Sequence, residues 1–187
     1  MRFIFSVCFV LLFSACSSNN QREDNTRDNI TDASAEIKSE CVLTAKSVRS
    51  CLLSSTDDEI QITVRLDSVS DGEWVIKNVE LQELGNIQLI TGSEAVTLFE
   101  GDSLVVRFQD INFDNRADVA VSTSFGTPNL YFDYWVKSQQ GEYQFVGNYP
   151  DFKIDSNAQQ LISNTKSNAE TYRRQVWVWR GEELIER

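Results

Sequence analysis

The densest run of oxygen-bearing side chains in this chain is Asp110-Ile111-Asn112-Phe113-Asp114-Asn115-Arg116-Ala117-Asp118. Asp110, Asn112, Asp114 and Asp118 alternate in the manner of cation ligands, and Arg116 would add a backbone carbonyl. Calcium takes about six to eight oxygens at about 2.3–2.6 Å, and a compact loop of alternating acids wraps one ion in that way. Asn115 stands at the tight turn, where glycine is usual; Asn tolerates left-handed geometry better than most residues. Val121 stands where a helix–loop–helix calcium site has its bidentate Glu. Residues 104–108 and 119–122 read as strands, so the loop joins strands rather than helices. A metal-free turn is the competing reading, because Asx side chains also bond their own backbone.

Other chemistry is bounded by what is missing. The chain has no histidine, which rules out a Ser-His-Asp triad, a Cys-His pair and a His-ligated zinc site. Glycoside hydrolysis needs only two spaced carboxylates, but no pair stands out. Four cysteines are present. Cys8 falls in an apolar leader and Cys16 at its end, while Cys41 and Cys51 remain for a structural disulfide worth about 2–3 kcal/mol. Trp135, Trp177 and Trp179 are candidates for a binding face, because aromatic residues beside Arg and Gln are favoured anchors. Packing is the plainer role for all three.

Positioning these residues requires an exported, folded domain. Met1 and Arg2 precede an apolar run over 3–13, followed by Ser14-Ala15-Cys16. Residues 1–15 therefore read as a signal peptide, too short in its apolar part to span a bilayer. The ending resembles a lipobox, with Cys16 the lipidated residue, although Phe13 stands where Leu is usual. Residues 16–40 are polar, poor in large apolar side chains, and read as a flexible lipid-anchored linker. Residues 41–187 are expected to form a single mainly β domain. The net charge of −11 disfavours nucleic acid and suits a basic partner or calcium.

Inside that domain the periodicity is that of strands. Ile60, Ile62, Val64 and Leu66 alternate with polar residues. Further strands are expected over 74–84, 87–90, 96–99, 104–108, 130–136, 143–146 and 172–179, with turns at Ser70-Asp71-Gly72, Gly85-Asn86, Gln140-Gly141 and Arg180-Gly181. Glu100-Gly101-Asp102 reads as a tight hairpin loop. Residues 157–163 read as a short helix, and Pro128 and Pro150 as loop residues. The expected fold is all-β, with antiparallel strands in a propeller-related or sandwich-like arrangement.

The acidic loop between two strands resembles the calcium-binding hairpin loops of FG-GAP-type propeller repeats. Taken with residues 131–136 (including Asp133 and Trp135), 141–145 and 172–179, it resembles a family of bacterial envelope proteins, often lipoproteins. These carry a D-x-N-F-D loop, a Tyr/Trp-rich strand and a closing aromatic hairpin. The likeness spans residues 104–179, under half the chain; residues 41–101 match no family. It implies a propeller-related β fold and a structural calcium. It also implies inhibition of lysozyme-like enzymes, or immunity against wall-degrading toxins delivered by secretion systems. A basic cell-wall-degrading enzyme or toxin is then the expected partner, and the chain is expected to be non-enzymatic.

An acidic inhibitor of a basic enzyme gains electrostatic steering. Residues 124–129, 149–155 and 164–170 are the candidate presenting loops. The resemblance also implies a cell-envelope location, with Ser17 after the lipidated cysteine pointing to the outer membrane, facing the periplasm. The alternative is a structural or accessory outer-membrane lipoprotein with a glycan- or peptide-binding face. A two-carboxylate hydrolase is a third reading.

Overall fold

The structure, a computed structural model, describes residues 39–44, 50–54, 59–93, 96–124, 128–168 and 170–187. The leader, Cys16 and nearly all of the linker lie outside the described residues. The described chain forms strands β1 (Glu40–Thr44), β2 (Ser50–Ser54), β3 (Glu59–Ser70), β4 (Glu73–Glu83), β5 (Asn86–Ile90), β6 (Thr97–Phe99) and β7 (Ser103–Gln109). It continues through β8 (Asp118–Ser122), β9 (Tyr131–Lys137), β10 (Tyr143–Pro150), β11 (Lys153–Asp155), β12 (Gln160–Lys166), β13 (Tyr172–Arg180) and β14 (Glu183–Glu186). The fold is all-β and antiparallel.

Three sheets form. The central one has the order β1-β7-β8-β9-β10; an N-terminal one runs β2-β3-β4-β5, with β6 also on β4; a C-terminal one runs β11-β12-β13-β14. Successive side chains point to opposite faces of a strand, and two cores follow from that. Val106, Phe108, Val119, Val121 and Trp135 pack with Leu53, Ile60, Ile62, Val64 and Leu81 of the N-terminal sheet. Ala120, Phe132 and Tyr134, of opposite parity, pack with Leu161, Leu184, Trp177 and Trp179 of the C-terminal sheet. The central sheet is thus covered on both faces. That explains why β8 is buried at every position and reads as an almost continuous small-apolar run. The arrangement is sandwich-like, three sheets deep.

The alternation predicted for 60–66 holds, with Ile60, Ile62 and Val64 buried. Cys41 and Cys51 are bonded and link β1 of the central sheet to β2 of the N-terminal sheet. Residues 41–101 therefore contribute to two layers.

Three local expectations are corrected. Glu100-Gly101-Asp102 is a tight turn, closed by Asp102 N donating to Phe99 O at 3.0 Å, but not a hairpin. β6 pairs with β4 and β7 with β1 and β8, so the turn carries the chain from one sheet to another. Residues 157–163 form no helix. Gln159 adopts φ 50°, Asp155 accepts the Ala158 amide at 3.1 Å, and Leu161 and Ser163 are buried two residues apart as part of β12. Pro150 ends β10 opposite Tyr131, at a sheet edge where a missing N–H is tolerated.

Candidate functional site

β7 and β8 pair from Val106↔Val121 to Gln109↔Asp118, so the acidic loop closes a hairpin. Phe113 (φ 64°) and Asn115 (φ 65°) are left-handed, which fits Asn at the tight-turn position. The loop's side chains bond its own backbone. The Asp114 amide donates to Asp110 Oδ1 and Asn112 Oδ1, each at 3.2 Å. The Asn115 amide donates to Asp110 Oδ2 at 2.9 Å, and the Arg116 amide to Asp114 Oδ1 at 2.9 Å. The Arg116 guanidinium pairs with Asp114, and its Nε donates to Lys137 O at 3.3 Å.

Asp118 is 1% exposed. Its Oδ2 accepts the Ile111 amide at 2.9 Å and its Oδ1 the Lys137 amide at 2.8 Å, fastening the loop to β9. Burial pushes the Asp118 carboxyl up to about 7; the two amide bonds oppose the rise, and Asp114 and Asp110 add to it. From the other side, Trp179 Nε1 donates to Ile111 O at 2.7 Å.

As the loop stands, the described residues gather no group of three His, Cys, Asp or Glu around one point, and Arg116 lies on Asp114. The donor chemistry nonetheless suits a hard cation. Each amide bond uses one lone pair of an oxygen that has two, and Asp114 and Asp110 are near enough to raise the charging cost of Asp118. Asp110, Asn112, Asp114 and Asp118 are the side chains that would hold calcium, with the Arg116 carbonyl. What the ion would supply is neutralisation of that charge.

The three tryptophans do not share an exposed face. Trp135 is 2% exposed within the core between the N-terminal and central sheets. Trp177 and Trp179 lie half-buried on the other side of the central sheet. Trp177 donates to Ser163 Oγ at 3.1 Å and meets Tyr149 edge-on, with ring centroids 5.2 Å apart. Packing is their role, because the alternation of β9 and β13 directs these indoles at neighbouring sheets.

Two features escaped the linear pattern. The first is a clasp. Asp133, buried on β9, accepts the Ser93 amide at 2.9 Å, the Ser93 hydroxyl at 2.8 Å and Asn148 Nδ2 at 2.8 Å. A Cβ at Gly92 would fall 2.0 Å from Asp133 Oδ2, so glycine is needed for that approach. The clasp borders a cleft of about 280 Å³ floored by Trp135 and Val121.

The second is an overhang. β2 pairs with β3 over residues 59–63, and β5 with β4 over 79–83, so the far halves of β3 and β4 run on beyond both neighbours. Among the described strands only β6 joins them, at Glu73–Val75, and Glu100 N donates to Gly72 O at 3.0 Å. The two turns at the tip carry Asp71, Glu73, Glu100 and Asp102, with Asp67 further along β3, and Val69 (58% exposed) and Phe99 (57% exposed) are its exposed apolar residues. Lys77 pairs with Asp67 at 3.2 Å. From Glu59 to Asp102 the chain carries nine acids against Arg65 and Lys77. The spacing of these acids was visible in the sequence, but the adjacency of two separate turns was not.

No family model and no curated protein matches the chain. Among solved structures it is similar to a Xanthomonas type IV secretion system related protein, at 13% identity and a TM-score of 0.46, over 78% of this chain and 85% of that one. A likeness of that degree carries no argument.

Proposed function

We propose that the chain is a non-enzymatic envelope lipoprotein, anchored through Cys16 and facing the periplasm, that binds and inhibits a basic cell-wall-degrading enzyme. The observation that carries this reading is the β3–β4 overhang. An acidic strand end that also exposes an aromatic and an aliphatic residue suits a cationic cleft: the charges steer the encounter and the apolar groups supply contact area. The Cys41–Cys51 bond agrees with an oxidising compartment. In this reading calcium is a structural clamp on the β7–β8 hairpin and does not touch the target. The glycan-binding alternative loses its stacking surface, because Trp135 is in the core.

The test is lysis of cell-wall suspensions by a panel of basic muramidases and amidases, with and without the full chain. Near-stoichiometric inhibition is expected, weakened by salt and reduced about a hundredfold by Asp71→Lys/Phe99→Ala/Glu100→Lys, in line with losing a central anchor and two complementary charges. A folded chain that slows none of these enzymes, or a triple variant of undiminished potency, would count against the reading.

A further inference from the structure

Charge in this molecule is polarised by layer. Residues 143–187 balance six acids against six bases, in contrast to the strongly acidic N-terminal sheet, and the C-terminal sheet sorts those charges by face. Leu161, Ser163, Trp177 and Leu184 point inward. By strand alternation the opposite face presents Lys153, Lys166, Arg174 and Arg180, with Asp155 and Glu183 as its acids. Asp155 caps the Ala158 amide, and Lys166 lies 5.9 Å from the Tyr172 ring. Among the described residues, Lys153, Arg174 and Arg180 make no ion pair, whereas Arg65, Lys77, Arg107, Arg116, Lys137 and Arg173 all do.

Between the cations runs a half-exposed aliphatic stripe formed by the cross-strand pairs Ile162↔Val176 and Val178↔Ile185. Tyr172, 66% exposed, closes one end. No described element covers this face.

We infer that the outer face of the C-terminal sheet docks on a bilayer surface bearing anionic phosphodiester headgroups. The inference rests on the anchored reading above for proximity. In that reading 22 residues, 17–38, separate Cys16 from the first described residue. The domain is then held at high effective concentration beside the bilayer. The chain enters next to this sheet: Arg107 joins Glu40, the first residue of β1, at 2.6 Å, and also pairs with Asp151, just before β11. A flat cationic face with an aliphatic centre matches anionic headgroups above acyl chains. The acidic N-terminal sheet packs on the opposite side of the central sheet, so docking turns the β3–β4 tip away from the membrane and toward the periplasm.

The test uses the chain from residue 16 onward carrying Cys16→Ser, so vesicle binding is read apart from the apolar leader, from lipidation and from enzyme inhibition. The probes are vesicles of phosphatidylcholine alone and of phosphatidylcholine with phosphatidylglycerol. Each basic residue at an anionic surface strengthens attachment about fivefold. Sedimentation should therefore show phosphatidylglycerol-dependent, salt-sensitive binding that falls about a hundredfold in Lys166→Gln/Arg174→Gln/Arg180→Gln. All three residues are on the outer face, and an unchanged thermal midpoint of the variant establishes that it is folded. Equal binding to both vesicle types, or equal binding by parent and variant, overturns the inference. Displacement from vesicles by soluble polyglutamate as efficient as that by phosphatidylglycerol would also overturn it, by assigning the face to an acidic protein.

Discussion

Asp118 is where the local chemistry is most finely balanced. Its carboxyl is buried, satisfied by two amides, and raised to about 7 by burial first and by Asp114 and Asp110 after it. A carboxyl whose pKa is higher in the folded state favours folding when protonated. That contribution is complete below the unfolded value near 3.8 and is lost as pH rises through about 7. In chelator, the unfolding free energy of the wild type should fall between those limits by up to about 4 kcal/mol relative to Asp118→Asn. The amide loses one acceptor and lowers stability overall, but removes the titration. Parallel pH profiles in urea titrations would sink this assignment. The Asx loop itself was legible from residue types; that Asp118 faces inward and fastens β9 was not, because its amide partner at Lys137 is distant in sequence.

At the scale of elements, the β7–β8 hairpin carries the proposed calcium clamp. A ligand that binds only the folded state adds about 2.7 kcal/mol at a concentration a hundred times its Kd. Millimolar calcium should raise the melting midpoint of the wild type by several degrees over chelator and leave Asp114→Asn unresponsive. An unresponsive wild type would mean that the Arg116 guanidinium alone neutralises the loop. Strand signals were clearest where one face is buried, as in β3. They failed at residues 157–163, where local polarity suggested a helix and pairing with β13 made a strand. They failed again at Glu100-Gly101-Asp102, where turn chemistry was right but the partner strands were not adjacent in sequence.

Across the whole molecule, the Cys41–Cys51 bond and the Asp133 clasp hold the N-terminal sheet to the central one, while Trp179 and the Tyr149–Phe152–Trp177 cluster hold the C-terminal sheet. Replacing both cysteines by serine should cost about 2–3 kcal/mol, as expected for releasing a short closed loop. Equilibrium denaturation checks this, and an unchanged midpoint would show that packing alone fixes the two layers.

The sequence by itself determined the all-β class, the acidic loop with its turn at Asn115, the pairing of Cys41 with Cys51 and the overall negative charge. These depend on local periodicity, residue chemistry and composition. Tertiary structure alone decided that Trp135, Trp177 and Trp179 go to two separate cores, that two turns meet in one acidic tip, and that the cations collect on one outer face. Each of those outcomes is set by strand register and sheet stacking, which join residues far apart in the chain and leave no mark on its local pattern.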